Sequence, residues 1–247
     1  KVRIAGDEFK DISRTIENQI DNSLKRLGID TIDIVYTHNT IGAERNVSSG
    51  TLSVEDLSSI VQVFESAVAS GKLQYWGFNG LGQTDSVKEA LRRYSPSGIH
   101  TCYNMLNPTS GYGLPKTFPY QNYEELMTLA SEDGIGTVGI RILAGGALSG
   151  SLDRHPIAQQ NVAPIATSST FREDVSRTPV FEVLVKEGFV NNLVEASVRF
   201  AISNDNLDTA LIGLSNFDQL KQAVDYANKG SLPQEALDKI KEIWAVS

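Results

Sequence analysis

Short runs rich in β-branched residues alternate along this chain with longer segments whose apolar residues recur every three or four positions. That alternation restricts the fold more than any other feature. Ile12, Ile16, Ile20, Leu24 and Leu27 paint one stripe on a helix, which Gly28 stops. Residues 31–38 are short and β-branched and read as a strand. Ser53, with Asp56 three residues on, opens the next helix as a capping box, and Val54, Leu57, Val61, Phe64 and Val68 form its apolar stripe. Strands follow at 73–78, 99–103, 137–142 and 209–212. Helices are expected near 85–94, 123–130, 178–187, 191–202, 217–226 and 233–244. Residues 1–4 read as the end of a sixth strand. Strands separated by helices pair in parallel through right-handed crossovers, so the class is α/β. The pattern alone leaves an open sheet and a barrel both standing.

No linker or low-complexity tract divides the 247 residues, and an α/β barrel routinely uses that length as one domain, so residues 1–247 are expected to form a single domain. The stretch 145–176 is too long for a plain connector and reads as a binding loop. With 22 Lys+Arg against 30 Asp+Glu the formal net charge is −8, which excludes a general binder of nucleic-acid backbones. No apolar run approaches the ~20 residues needed to span a bilayer. Cys102 is the single cysteine, which excludes an intrachain disulfide and fits a reducing, cytoplasmic setting. The chain opens at Lys1 and its methionines, Met105 and Met127, are internal, so a missing beginning is expected.

Residues 134–139 spell G-x-G-x-x-G, but a helix precedes them and a strand follows, the reverse of a dinucleotide-binding turn. Asn46-Val47-Ser48 is a glycosylation sequon without a secretory signal to make it used. His38, His100 and His155 are too scattered for a metal site, so no metal is expected. His38 stands at the C-terminal end of a strand, where α/β proteins build their sites, and a structural role there is equally open. His100 lies inside a strand, the setting of a hydrogen-bonded core residue, and His155 lies in the long loop. Gly213-Leu214-Ser215-Asn216 ends a strand and opens the helix carrying Gln219. Small residues there let backbone N–H groups approach a phosphate, or Ser215 or Asn216 simply caps the helix.

Five segments, taken together and in order, resemble the aldo-keto reductases. The run from Ile20 to His38 carries Leu24, Leu27, Gly28, Asp33 and His38 at the spacing of that family's helix-to-strand signature. Gly71-Lys72 to Gly80, Tyr103 to Asn107, Leu143 to Gly150 and Gly213-Leu214-Ser215 match later landmarks. Residues 78–82 and Asn107-Pro108 are most similar to a branch near the sugar dehydrogenases, such as L-galactose dehydrogenase. The resemblance implies a (β/α)8 TIM barrel, here without its first two βα units, that binds NADP or NAD. It implies hydride transfer to or from a small carbonyl or sugar-like substrate. The family's catalytic tetrad is Asp, Tyr, Lys and His, with Tyr as general acid, its pKa lowered by the Lys. His38 matches the histidine and Lys1 the lysine. Asp and Tyr are expected upstream of Lys1, so the 247 residues alone are expected to be inactive.

The same resemblance assigns Asn79, Gly80, His100, Ile140, Leu143, Gly213, Ser215, Gln219 and Gln222 to the cofactor, with several departures. Asn79 and Gly80 replace Ser-Asn at the nicotinamide carboxamide, His100 replaces a Gln, and Ile140 replaces the aromatic that stacks on the nicotinamide. Ser215 and Gln219 are retained near the adenine, while Gln222-Ala223 replaces Glu-Asn. The cation that usually reads a 2′-phosphate after Gly213-x-Ser215 is absent, with Arg172 or Lys221 as stand-ins. The rival reading is a non-catalytic nucleotide-binding barrel that acts as a sensor or scaffold. Oligomeric state is not readable from these features.

Overall fold

A computed structural model describes residues 1–115 and 117–245. They fall into two compact units, one of Lys1–Thr101 with Leu129–Thr137, the other of Cys102–Thr128 with the chain from Val138 onward.

The first unit opens with α1 (Ile12–Leu27), capped by Asp11, whose side chain accepts from the Arg14 N–H at 3.1 Å. Ile12, Ile16 and Ile20 of the expected stripe are buried, but Leu27 is 62% exposed. Then come β1 (Ile32–Tyr36), the short parallel pair β2 (Ile41–Gly42) and β3 (Leu52–Ser53), and α2 (Val54–Ala69). The capping box expected at Ser53 is present: Ser53 Oγ accepts from the Asp56 N–H, and Asp56 Oδ2 accepts from the Ser53 N–H. The buried face of α2 runs through Val54, Leu57, Ile60, Val63, Phe64 and Ala67, so Val61 and Val68 end half-buried at its margin. Next are β4 (Leu73–Asn79), α3 (Thr84–Tyr94) and β5 (Gly98–Cys102). Strands β1, β4 and β5 pair in parallel in chain order, with Tyr36 opposite Gly77, Gly77 opposite Gly98, and Asn79 opposite His100. The expected sixth strand is one parallel bridge, Val2 to Thr37, where Val2 N–H donates to the Tyr36 carbonyl and His38 N–H to that of Val2. Phe64, Trp76 and Phe78 pack with ring centroids 5.9 and 5.4 Å apart and seal the unit's interior.

α4 (Leu126–Glu132) and β6 (Gly136–Ile140) run from one unit into the other. In the second unit β6 pairs in parallel with β7 (Thr209–Ala210), Val138 opposite Thr209. The stretch 145–176 is less irregular than its composition suggests, since it contains α5 (Phe171–Ser176), opened by a Thr170–Glu173 capping box. The helix expected near 178–187 is a 3-10 turn (Thr178–Glu182), with Pro179 in its first turn where no N–H donor is needed, followed by α6 (Val183–Lys186). α7 (Leu193–Ala201), α8 (Phe217–Ala227) and α9 (Gln234–Ala245) complete the unit, with Asn192 and Asn216 as side-chain caps of the first two. Tyr103, Phe181, Leu184, Phe200 and Trp244 form its core, and Trp244 Nε1 donates to the Met105 carbonyl at 2.8 Å. By contrast α8 buries no residue, and Phe217 is 77% exposed.

Candidate active site

In a parallel α/β repeat the strand ends carry the chemistry, because loops there are free of packing duties. Within the first unit four of the residues singled out by the sequence come together at the ends of β1, β4 and β5. Asn79 Nδ2 donates to the His38 carbonyl at 3.1 Å, its backbone N–H reaches Thr37 Oγ1 at 3.3 Å, and Gly80 N–H donates to the His100 carbonyl at 2.7 Å. The His100 ring lies 4.1 Å from that of Tyr36. Lys1 stands close enough that its charge acts on both His38 and His100.

Two buried polar atoms here, Asn79 Oδ1 and His100 Nδ1, have no hydrogen-bond partner among the described residues. Such orphans cost on the order of 1–3 kcal/mol each and call for an explanation. Asn79 and His100 are register partners on neighbouring strands, so their side chains share one face.

Burial, and then the nearby Lys1 ammonium, pushes the His100 imidazole down from 6.5 to about 4. Burial likewise lowers His38, aided by Lys1 and Arg3, and lowers Lys1 itself. Both imidazoles are therefore neutral at pH 7, each with one donor and one acceptor nitrogen. The His100 shift has a consequence for stability. As pH falls below about 6.5, the unfolded imidazole takes up a proton that the folded one refuses down to about 4, so stability drops through that window. Urea unfolding should show a loss of about 2 kcal/mol between pH 7 and pH 5 that His100→Gln largely removes. Equal pH slopes for the two proteins would refute it.

The second unit contains a cavity of about 750 Å³ whose walls include Leu143, Gly213, Ser215, Gln219 and Gln222. Gln219 Oε1 accepts from the Ser215 N–H at 2.7 Å, which ties the β7–α8 turn to the first turn of α8. Ile140 does not line this cavity, and its carbonyl accepts from the Tyr103 N–H. Neither Arg172 nor Lys221 lines it either, and Lys221 is engaged with Asp225 at 2.6 Å. The walls instead hold two arginines that sequence reasoning passed over, Arg141 directly after β6 and Arg154 in the long loop, together with the exposed His155. The signal was present in Arg141, a cation at a strand end.

Among the described residues no three His, Cys, Asp or Glu side chains are placed to hold a metal ion. Complete burial pushes the Cys102 thiol up to about 12, which keeps it protonated. No helix among the described residues is long and apolar enough to cross a membrane.

The aldo/keto reductase family model matches residues 1–245. The chain belongs to the aldo/keto reductase family. This reductase-family chain is 25% identical over 235 residues to L-glyceraldehyde 3-phosphate reductase of Escherichia coli (strain K12), covering 90% of this chain and 61% of that protein. It is 21% identical over 233 residues to L-galactose dehydrogenase of Arabidopsis thaliana, covering 92% and 63%. It spans about three fifths of the length of these curated relatives. Its fold matches that of the aldo-keto reductase AKR11C1 from Bacillus halodurans, apo form, with a TM-score of 0.65 at 21% identity, over 94% of this chain and 68% of that one. The holo form of the same protein gives a TM-score of 0.64. The fold is thus α/β, part of a reductase TIM barrel, as the sequence landmarks implied.

Proposed function

We propose that this aldo/keto reductase chain works in an NAD(P)-dependent oxidoreductase that moves hydride between a nicotinamide cofactor and a small carbonyl, alcohol or sugar-like substrate. The observation that carries the reading is the orphaned pair Asn79 Oδ1 and His100 Nδ1. A carboxamide has both a donor and an acceptor and would relieve both atoms, which suits the nicotinamide end of the cofactor. Within the second unit, Leu143, Gly213, Ser215, Gln219 and Gln222 wall a cavity whose size and polarity suit a nucleotide, while Ile140 lies off its wall; within the first unit Gly80 stands beside Asn79 and His100. Bound in this way, the cofactor supplies the hydride.

The chain's own residues then divide the remaining work. His38, held neutral, donates a hydrogen bond that orients a carbonyl oxygen, and Lys1 supplies positive charge where negative charge develops on that oxygen. Residues 1–247 match only these two of the four catalytic residues of the family. We therefore expect the 247-residue chain to reduce aldehydes at least ~10²-fold more slowly than a reductase with all four, the usual contribution of a general acid. The family match runs through both compact units, which supports one barrel domain across residues 1–247. The acidic charge supports a small-molecule partner over nucleic acid, and the lone buried cysteine supports a reducing, cytoplasmic setting.

Titration of the chain with NADH and with NADPH, read by intrinsic fluorescence, tests the reading. Both should bind, and NADPH should be favoured by less than about a hundredfold, roughly 2.7 kcal/mol. The reason is that α8 begins Asn216-Phe217-Asp218, with Asp218 exposed and no cation beside it in sequence until Lys221, which Asp225 already holds. A larger NADPH preference contradicts the specificity assignment, and failure to bind either dinucleotide contradicts the function. Tight binding with no turnover in a protein that carries all four catalytic residues would favour the sensor or scaffold.

A further inference from the structure

Across three strands of the first unit runs a row with one large side chain and two positions without any. Tyr36 of β1 stands opposite Gly77 of β4, and Gly77 opposite Gly98 of β5. Residues two apart on a strand share a face, so Asn79 and His100, in register with each other, form the adjoining row on that face. The Tyr36 ring fills the bare positions. An ideal Cβ on Gly77 would stand 2.5 Å from its Cε1, and one on Gly98 would stand 2.7 Å from its hydroxyl oxygen. Glycine within a strand marks such a close approach. Lying across both glycines, the ring reaches the His100 imidazole, with centroids 4.1 Å apart and planes inclined by 36°.

No hydrogen bond holds that imidazole. Its Nδ1 is buried without a partner, and Nε2 has none among the described residues. The second side-chain torsion of a histidine has a broad energy profile, so an imidazole without hydrogen bonds takes its plane from what it packs against. Among the described residues Tyr36 is the one ring stacked on His100.

The same ring shields the imidazole from water. Burial is the first cause of the low His100 basicity, ahead of the charges that face it, which are Lys1, the N-terminal ammonium and His38. Burial also raises the Tyr36 phenol above its usual range, so it stays neutral and adds no charge of its own. Tyr36 therefore acts on His100 by contact and cover.

We propose that Tyr36 is a positioning residue: its ring, laid across Gly77 and Gly98, sets the plane of the His100 imidazole and so aims Nδ1 at the carboxamide of a bound ligand. The identity of that ligand rests on the cofactor reading above, whereas the hold of the ring on His100 is a property of the chain alone. The arrangement leaves the imidazole free to present Nδ1 with or without a proton, because neither nitrogen is committed to the protein. Asn79 Oδ1 has no such freedom and only accepts, since its Nδ2 already donates to the His38 carbonyl.

The test compares the wild-type 247-residue chain with Tyr36→Phe, Tyr36→Leu and Gly98→Ala. Tyr36→Phe keeps the ring and Tyr36→Leu removes it. Gly98→Ala keeps the ring but displaces it, through a Cβ whose nearest atom is the end of the Tyr36 side chain. Imidazole NMR follows the titration of His100 without cofactor, and calorimetry gives the affinities for NADH and for ADP-ribose, which lacks the carboxamide. His100 should titrate at about 4 in wild type and Tyr36→Phe, and higher by about one pH unit or more in the other two variants, where water reaches it. The advantage of NADH over ADP-ribose should survive in Tyr36→Phe and shrink about fivefold or more in Tyr36→Leu and Gly98→Ala, with ADP-ribose affinity unchanged. Should Tyr36→Leu lose ADP-ribose as well, its fold is disturbed, and Gly98→Ala is judged by the same criteria. A His100 titration that ignores the ring overturns the proposal. So does Tyr36→Phe behaving like Tyr36→Leu, since the hydroxyl would then be at work. A shifted titration with the NADH advantage intact also overturns it and leaves the cofactor reading standing. His100 following the ring in a chain that binds no NADH upholds the positioning and removes that reading instead.

Discussion

Replacing Gly82 with alanine is expected to destabilise the chain by about 3 kcal/mol or more. Two costs add. Gly82 has φ of +127°, a conformation that residues with a side chain rarely adopt, which carries about 1–3 kcal/mol of strain. A Cβ there would also lie 2.0 Å from the Ile41 carbonyl oxygen and 2.6 Å from its nitrogen, contacts with rigid backbone that typically cost a further 1–3 kcal/mol or so. The two segments cannot draw apart cheaply. Ile41 N–H donates to the Leu81 carbonyl at 2.9 Å, and Gln83 N–H donates to the Ile41 carbonyl at 2.8 Å, so both sides of the contact are stitched. Ile41 is fully buried besides. Gly71→Ala is the control, since that glycine also has positive φ, +77°, but nothing within 4 Å of the added atom. Urea midpoints of the two variants should differ, through the clash and the less accessible backbone conformation at Gly82 together, and equal midpoints would show that the segment yields freely. Because Gly82 lies two residues after Gly80, its loss should also weaken the cofactor binding proposed at the ends of β4 and β5.

Where local chemistry decides the outcome, the sequence was legible. The α1 stripe, the Ser53 capping box and the strand leading to His38 rest on periodicity and on side chains that act within three or four residues. Elements fixed by tertiary contacts were not. The pair β2 and β3 is two residues per strand, too short for any alternation to register. Leu27, Ile29 and Ile34 satisfy an apolar pattern yet are exposed, as are Leu211, Leu214 and Phe217 at the other end of the chain. A hydrophobic pattern states which face seeks burial and says nothing of whether a partner is present.

The candidate site divides in the same way. His38, Asn79, Gly80 and His100 were identified by position at strand ends and by family landmarks, and the first unit gathers them. That Asn79 and His100 would each retain an unpaired buried atom could not be read, because it depends on which neighbours fail to reach them. Arg141 and Arg154 escaped notice for a related reason. They are 13 positions apart in the sequence, and only the turn at Gly145-Gly146 brings them onto one wall.

The most direct test of the central claim compares NADH with ADP-ribose, a fragment that lacks the nicotinamide, on the wild type and on the double variant Asn79→Leu/His100→Phe. Each lost hydrogen bond between Asn79 or His100 and the carboxamide should cost about 0.5–1.5 kcal/mol, so NADH affinity should fall on the order of tenfold to a hundredfold. ADP-ribose does not engage that pair, and its unchanged affinity also shows that the variant is folded. The account predicts that NADH binds the wild type more tightly than ADP-ribose does and that the double variant erases the difference. Equal affinity of the wild type for both ligands, or an NADH advantage that survives the double variant, would contradict it.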